Sequence, residues 1–346
     1  MSVLKHTPRV LVVYTGGTIG MIKDDESGAL IPLDFVHISD HVPELKRFRF
    51  DIRTVSFENV IDSSNVSPEI WVKLANLIYD SYDAYDGFVV LHGTDTMSYT
   101  ASALSFTLRN LGKPIIFTGS QLPIGTLRSD GKMNLITAVE IAAARHHGNA
   151  IVPEVCVFFE NKLYRGNRSS KQNAEFFDAF RSGNYPALAD VGINIRYNYA
   201  AIRYPRSQNL ELHCEFNTQV AVLKLFPGLS REVMMAIISI PGLRGLVLES
   251  FGAGNAPTFP WFLACLEAAV AKDIIVLNIT QCFAGTVMMG HYDTSLAMLK
   301  MGVVNGKDLT TEAAVTKMMF LLGQDYDFAK IKALAQTPIA GEMSAV

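Results

Sequence analysis

Short apolar runs alternate along this chain with longer stretches in which apolar residues return every three or four positions. Val10 to Tyr14, Phe88 to Leu91, Ile115 to Thr118 and Val155 to Phe159 are nearly unbroken runs, and helical spacing fills most of the intervals between them. A strand covered on both faces has no polar face to show, so this pattern predicts a parallel sheet wrapped by helices. One helix start is legible in "NVSPEIW": Ser67 stands at the N-cap, Pro68 at the first helical position, and Ile70, Leu74, Leu77 and Ile78 on one face. A second helix is expected after "DGFVVLHGTDTM", with Met97, Ala101, Leu104, Leu108 and Leu111 at helical spacing and Gly112 as its C′ stop. From 192 to 216 the period decays into a polar, aromatic segment that reads as a connection between domains. The alternation then resumes, with strands at Val220 to Leu225, Leu246 to Leu248 and Ile274 to Ile279, and helices near Ser230 to Ile240, Thr258 to Lys272 and Thr311 to Leu322. The expected organisation is a larger N-terminal α/β domain over 1–191, a connection over 192–216 and a smaller C-terminal α/β domain over 217–346.

Composition narrows the partners. A chain of 346 residues with 49% hydrophobic and 18% charged residues has ample material for two buried cores. Its net charge is -3, with no run of Lys or Arg longer than two, which recommends neither nucleic acid nor an anionic membrane surface. The expected ligand is a small molecule. The apolar run Val10 to Tyr14 is too short for a secretory signal, and nothing approaches the ~20 apolar residues of a membrane span. Cys156, Cys214, Cys265 and Cys282 form no C-x-x-C pair, so a reducing cytoplasm is the expected location.

Ligands of an open parallel sheet bind beyond the carboxyl ends of its strands, and two such ends are unusually polar here. In "VVYTGGTIGM", Thr15 follows the strand, and Gly16, Gly17 and Gly20 permit a sharp turn and close approach of backbone to ligand. In "VVLHGTDTM", Thr94 and Asp95 occupy the corresponding place, while Lys171 ends the polar turn "YRGNRSSK". Each residue has an ordinary structural reading by itself: Thr15 as an ST-turn, Asp95 as an N-cap, Lys171 as a solvated side chain, His92 as a hydrogen-bonded structural histidine. Their joint placement makes a catalytic crevice the sharper expectation. A dinucleotide fingerprint fails because Thr15 stands where its first glycine belongs, and "GTLRSDGKM" misses a phosphate loop by one residue of spacing and by Met133 in place of the hydroxyl. There is no G-x-S-x-G and no H-E-x-x-H, so neither metal nor cofactor is expected.

"TGGTIG" at Thr15 to Gly20 and "HGTDTM" at His92 to Met97 resemble the two signatures of the bacterial-type L-asparaginases. The resemblance runs the length of the chain, through "DSS" at Asp62 to Ser64, "TGSQ" at Thr118 to Gln121, "LRSDG" at Leu127 to Gly131, "LYRGNRSSK" at Leu163 to Lys171, "GAGNAP" at Gly252 to Pro257 and "TQC" at Thr280 to Cys282. With "LYRGNR" and "DSS" and no signal peptide, it is similar to the cytoplasmic type I enzymes. The resemblance implies a flavodoxin-like parallel-sheet domain followed by a Rossmann-like one, and hydrolysis of L-asparagine to L-aspartate and ammonia.

Carried onto matching positions, the resemblance makes Thr15 the nucleophile that forms a β-aspartyl ester, with Thr94, Asp95 and Lys171 as the accessory group. Asp95 favours a charged Lys171 while a general base must be neutral, so the pair titrates as a unit and neither residue is assigned the proton. Asp62 and Asp95 suit the substrate ammonium, and Ser63 and Ser64 its carboxylate. Backbone N–H groups at Thr94 and Ser120 suit the oxyanion, one such donor being worth about 3 kcal/mol. Asn255 matches a residue that reaches a neighbouring subunit's site, which implies a homodimer or homotetramer. Many relatives carry a tyrosine in the loop after the first motif, whereas "MIKDDESGALIP" has none and Leu30 stands about where it would be. Tyr292 is the candidate replacement, a half-buried core tyrosine being the other reading. Some cytoplasmic members bind a second asparagine between subunits through an arginine, a threonine and the segment matching Thr280 to Cys282. Here Ser170 replaces the threonine and Glu249 the arginine, which argues against that effector site. The rival readings are the asparaginase-like subunit of tRNA-dependent amidotransferases, which carries an extra N-terminal domain for which 14 residues before Thr15 leave no room, and a non-catalytic amino-acid-binding module on the same fold.

Overall fold

A computed structural model describes residues 7–23, 30–32, 42–207, 209–290 and 293–345. The chain divides into two compact units, Met1–Ser182 with Pro186–His213 and Cys214–Val346 with Gly183–Tyr185. In the first, β1 (Arg9–Tyr14), β2 (Asp51–Ser56), β3 (Gly87–Leu91), β4 (Ile115–Thr118), β5 (Val155–Phe159), β6 (Lys162–Arg165), β7 (Ala189–Val191) and β8 (Ile195–Tyr197) form one sheet in the order β8-β7-β6-β5-β4-β3-β1-β2. The pairs from β2 to β5 are parallel and those from β5 to β8 antiparallel. Every residue of β3, β4 and β5 is buried, as their unbroken apolar runs require. The order β2-β1-β3-β4-β5 is the flavodoxin-like winding, and it reverses direction between β1 and β3. Among the described residues the helices that accompany this sheet are α1 (Pro68–Ser81), α2 (Met97–Thr107) and α3 (Gly131–Ala143). Buried Trp71, Leu74, Ala75 and Ile78 line one face of α1, whereas nine residues of α2 are buried, on all sides.

Of the two expectations about helix ends, the Ser67 N-cap holds and the Gly112 stop fails. Ser67 is the N-cap of α1, but its hydroxyl donates to the Glu69 carboxylate instead of capping the backbone. Gly112 is not a C′ stop, because α2 ends at Thr107 and the chain enters a short extended segment whose Leu108 and Arg109 pair antiparallel with Leu212 and Glu211. A partner strand about a hundred residues away captures these backbone groups, so Leu108 and Leu111 continue the apolar period without continuing the helix. The reversal falls at Asn110, with φ 58°, and the Gly112 N–H donates to the Tyr82 hydroxyl at 2.7 Å.

The second unit is a parallel sheet of β9 (Val220–Lys224), β10 (Gly245–Ser250), β11 (Ile275–Thr280) and β12 (Val304–Asn305), in that order. With it go α4 (Arg231–Ile238), α5 (Pro260–Ala271), α6 (Asp293–Met301), α7 (Thr311–Gly323) and α8 (Phe328–Ala335). The strands and helices expected in this unit fall within a residue or two of their predicted positions, whereas β12, α6 and α8 are not announced by the sequence pattern. Among the described residues no helix is long and apolar enough to cross a membrane.

Candidate active site

Where strand order reverses, the turns leaving the two diverging strands open a crevice at the edge of the sheet. Thr15 is the first residue beyond β1, and Thr94 lies in the turn beyond β3, the strand paired with it. The Thr15 N–H and hydroxyl both donate to the Leu91 carbonyl at 3.0 Å, which seats this 3% exposed threonine against the end of β3. The two turns touch. Gly17 has φ 92°, and a Cβ there would stand 2.5 Å from the Gly93 Cα, so only glycine allows the approach. A Cβ at Gly119, beyond β4, would stand 2.4 Å from the His92 carbonyl, which brings the third turn into the same cluster.

Lys171 belongs to a two-residue ladder, Ser170–Lys171 against Phe180–Arg181. Its Nζ donates to Thr94 Oγ1 and to Asp95 Oδ1, each at 2.7 Å. Thr96, not Asp95, is the N-cap of α2, so the carboxylate is free for the lysine, while the Thr96 hydroxyl donates to the Ser63 carbonyl at 2.7 Å. In "DSS", Asp62 Oδ1 accepts the Ser64 hydroxyl at 2.7 Å and the Ser64 N–H at 2.9 Å, and these two donors hold its carboxyl below the usual range. Ser63 is buried against Gly93.

His92 is the structural histidine that its position suggests. A carbonyl only accepts, so Nδ1 carries the proton and donates to the Gly93 carbonyl at 2.7 Å; Nε2 accepts the Thr100 hydroxyl at 3.0 Å, and Thr100 accepts the Trp71 indole N–H at 3.2 Å. Burial pulls the imidazole down to about 4 despite the Gly93 hydrogen bond, which makes it neutral near pH 7. Burial likewise pushes Tyr14, in the last position of β1, up to about 12.

The turn beyond β4 holds residues that sequence reasoning missed. Thr94 Oγ1 donates to Gln121 Oε1 at 3.4 Å, and Gln121 Nε2 donates to the Phe176 carbonyl at 3.1 Å. Asp130, the N-cap residue of α3, makes no cap; its carboxylate accepts the N–H groups of Gln121 and Leu122. The Ser120 hydroxyl donates to the Leu122 carbonyl at 2.5 Å. Among the described residues no acceptor faces the N–H of Thr94 or of Ser120. The signal available in the sequence was "SDGKMN", an aspartate and an asparagine in the first turn of a helix.

Of the remaining expected residues, Asn255, Glu249, Thr280 and Cys282 belong to the second unit. Asn255 lies in the second unit, in a turn whose Gly254 carbonyl accepts the Asn278 amide at 3.2 Å. Glu249, at the end of β10, accepts the Thr311 hydroxyl at 2.5 Å and lies 3.8 Å from Lys224 Nζ. The Thr280 hydroxyl donates to the Gly252 carbonyl at 2.6 Å and accepts the Cys282 N–H at 3.0 Å, while the Cys282 side chain is exposed. Ser170 is buried beside Lys171 in the first unit. Tyr292 lies outside the described residues, as does the side chain of Leu30. Among the described residues no three His, Cys, Asp or Glu side chains form a metal-binding group.

Residues 9–203 match the family described as "Asparaginase, N-terminal", and residues 219–334 the "Glutaminase/Asparaginase C-terminal domain". The chain is 41% identical over 343 residues to the L-asparaginase 1 of Escherichia coli (strain K12), covering 97% of this chain and 98% of that one. The crystal structure of L-asparaginase I from Vibrio cholerae superposes with a TM-score of 0.88 at 40% identity, over 98% of this chain and 99% of that one. A glutamyl-tRNA(Gln) amidotransferase component of Pyrococcus horikoshii is more distant, at 33% identity over 98% of this chain and 77% of its own length. Matched over both units, with the polar turns of its two signature motifs meeting at the strand-order reversal, this chain belongs to the asparaginase family.

Proposed function

We propose that this chain hydrolyses L-asparagine to L-aspartate and ammonia, with Thr15 as nucleophile and a β-aspartyl ester as intermediate. The observation that carries the reading is Lys171 Nζ, 2.7 Å from both Thr94 Oγ1 and Asp95 Oδ1, in the turn that touches the Thr15 turn. The Thr15 oxygen attacks the side-chain amide carbon while its proton passes to the Thr94–Lys171–Asp95 group. The amide oxygen takes up negative charge, for which the open N–H groups of Thr94 and Ser120 are suited donors. Collapse expels ammonia, which takes up the proton, and leaves the ester. Water held by Thr94 then attacks the ester, returning the proton to Thr15 and releasing aspartate.

Substrate holding follows the charges of a zwitterion. Asp62, kept ionised by Ser64, and Asp95 face the ammonium, with Ser63 and Ser64 toward the carboxylate. On this reading residues 1–191 carry the chemistry and 217–346 contribute Asn255 to a neighbouring subunit's site, in a homodimer or homotetramer. Tyr292 is proposed to stand in for the loop tyrosine. The protein is read as cytoplasmic, acting on a small molecule and not on nucleic acid. No activation by asparagine is proposed through Ser170, Glu249, Thr280 and Cys282, since Glu249 brings a carboxylate where a ligand carboxylate would have to bind, and the Thr280 hydroxyl is already engaged at both its donor and an acceptor position.

The test is ammonia release from asparagine by the purified chain and by Thr15→Ala. Turnover is expected to fall by several orders of magnitude in a soluble, folded variant, because no neighbour replaces a covalent nucleophile. Near-normal turnover by Thr15→Ala eliminates the mechanism. Failure of the unmodified chain to release ammonia without a partner would favour the reading as an amidotransferase component.

A further inference from the structure

The turn beyond β4 is gripped from outside by α3, and the grip fixes the orientation of individual peptide planes. Asn134, in the first turn of α3, is 1% exposed. Its Nδ2 donates to the Gly119 carbonyl at 2.9 Å and to Asp130 Oδ2 at 3.3 Å, and its Oδ1 accepts the Glu160 N–H at 3.0 Å. In a trans peptide the carbonyl and the following N–H point in opposite directions, and no cis peptide occurs among the described residues. A Gly119 carbonyl held toward Asn134 therefore turns the Ser120 N–H away from α3.

Asp130 fixes the next planes in the same way. Its carboxylate accepts the Gln121 N–H at 3.0 and 3.1 Å and the Leu122 N–H at 3.2 Å. These N–H groups are thereby removed as donors to a ligand. Among the described residues the Ser120 N–H has no acceptor, and the Asn134 contact decides where it points.

We propose that Asn134 is a positioning residue of the amide hydrolysis: by holding the Gly119 carbonyl it aims the Ser120 N–H at the oxygen that becomes negative in the transition state. The inference rests on the acyl-transfer reading of Thr15. Asn134 itself touches no substrate. Its hydrogen bond to Glu160 ties the same residue to the turn beyond β5, so a structural role is the alternative that the test must separate.

Asn134→Asp keeps the size and the acceptor for the Glu160 N–H, loses the donor to Gly119 and sets a second carboxylate against Asp130. Asn134→Ser, too short to reach Gly119, avoids that repulsion and serves if the aspartate variant does not fold. For a folded variant the expected result is a fall in kcat of about 10- to 100-fold with KM within about two-fold, the pattern of an interaction made only in the transition state. The sharper readout compares two inhibitors. Aspartate β-semialdehyde lets the Thr15 oxygen bond to the aldehyde carbon as the carbonyl π bond opens, the hydroxyl proton passing to the Thr94–Lys171–Asp95 group, so its tetrahedral oxygen occupies the oxyanion position. L-Aspartate occupies the pocket without that adduct. Affinity for the semialdehyde should fall with kcat while inhibition by L-aspartate stays unchanged. Unchanged kcat in either folded variant, or equal losses for both inhibitors, would overturn the proposal. If the unmodified chain released no ammonia, the functional reading and this inference would fail together, and that result is distinct from either variant outcome.

Discussion

Lys317 on α7 and Glu342 near the C-terminus are both 0% exposed and paired at 2.7 Å. The ammonium also donates to the carbonyls of Thr337 at 2.7 Å and Ala335 at 3.2 Å. The carboxylate accepts the N–H groups of Ala340 at 2.7 Å and Ile339 at 3.0 and 3.1 Å. The C-terminal segment is thus fastened to α7 by one buried ion pair with its hydrogen bonds completed. At an effective dielectric of about 20, the attraction at this separation is about 6 kcal/mol. Desolvating each ion costs several kcal/mol, so the intact pair contributes little net. The two groups' shifts point the same way, downward, for opposite balances of burial and pairing. Burial pulls Lys317 below its usual value by more than Glu342 restores, whereas for Glu342 burial pushes up but Lys317 and the Ile339 and Ala340 N–H groups outweigh it and leave the acid low.

Breaking the pair is another matter. Glu342→Gln leaves a buried ammonium facing only neutral acceptors, and Lys317→Met leaves a buried carboxylate; each should cost about 3–5 kcal/mol. The double variant strands no charge and leaves two carbonyls without their donor, at about 1 kcal/mol apiece, for a total of about 2 kcal/mol. The cycle should therefore show a coupling of at least about 4 kcal/mol. The chain has two tryptophans, Trp71 in the first unit and Trp261 in the second, so urea unfolding in a Trp71→Phe background follows the unit that holds the pair. A Glu342→Gln loss under about 1 kcal/mol, or single losses that add up to the double, would refute the reasoning.

His92, held at about 4 against an ordinary 6.5, takes up its proton in the unfolded chain first. Its contribution is present above pH 6.5 and is lost as pH falls toward 4, on the order of 3 kcal/mol in all; His92→Asn should flatten the stability profile over that window, and a slope unchanged by the substitution counts against the burial argument. Gly17→Ala places a Cβ 2.5 Å from the Gly93 Cα at φ 92°, and should cost about 1–3 kcal/mol in backbone strain with a larger loss of turnover; a variant with wild-type melting and rate would show that the two turns are not in contact. Initial rates across a wide range of asparagine should be close to hyperbolic, and a strongly sigmoidal curve abolished by Glu249→Ala would show that an effector site operates there.

The strands were legible from sequence because burial on both faces leaves an unbroken apolar run, and β3, β4 and β5 are buried at every position. Thr15, Thr94 and Asp95 were legible for the complementary reason: hydroxyls and a carboxylate directly after such runs have no use in a core. What the sequence by itself determined, then, was the alternation of elements and the chemistry placed at their ends. The tertiary structure decided what met what. That Lys171 reaches both Thr94 and Asp95, 76 and more residues away, depends on a two-residue ladder no local period announces. Leu108 and Leu111 keep the apolar period of α2, yet the helix stops because backbone pairing with residues 211–212 captures the chain instead. Asp130 and Asn134 carry ordinary helix-start chemistry in one dimension, and only folding shows them gripping a turn outside their own helix. Local periodicity encodes which face an element buries; hydrogen bonds between distant segments are set by strand order and register, which a linear pattern does not contain.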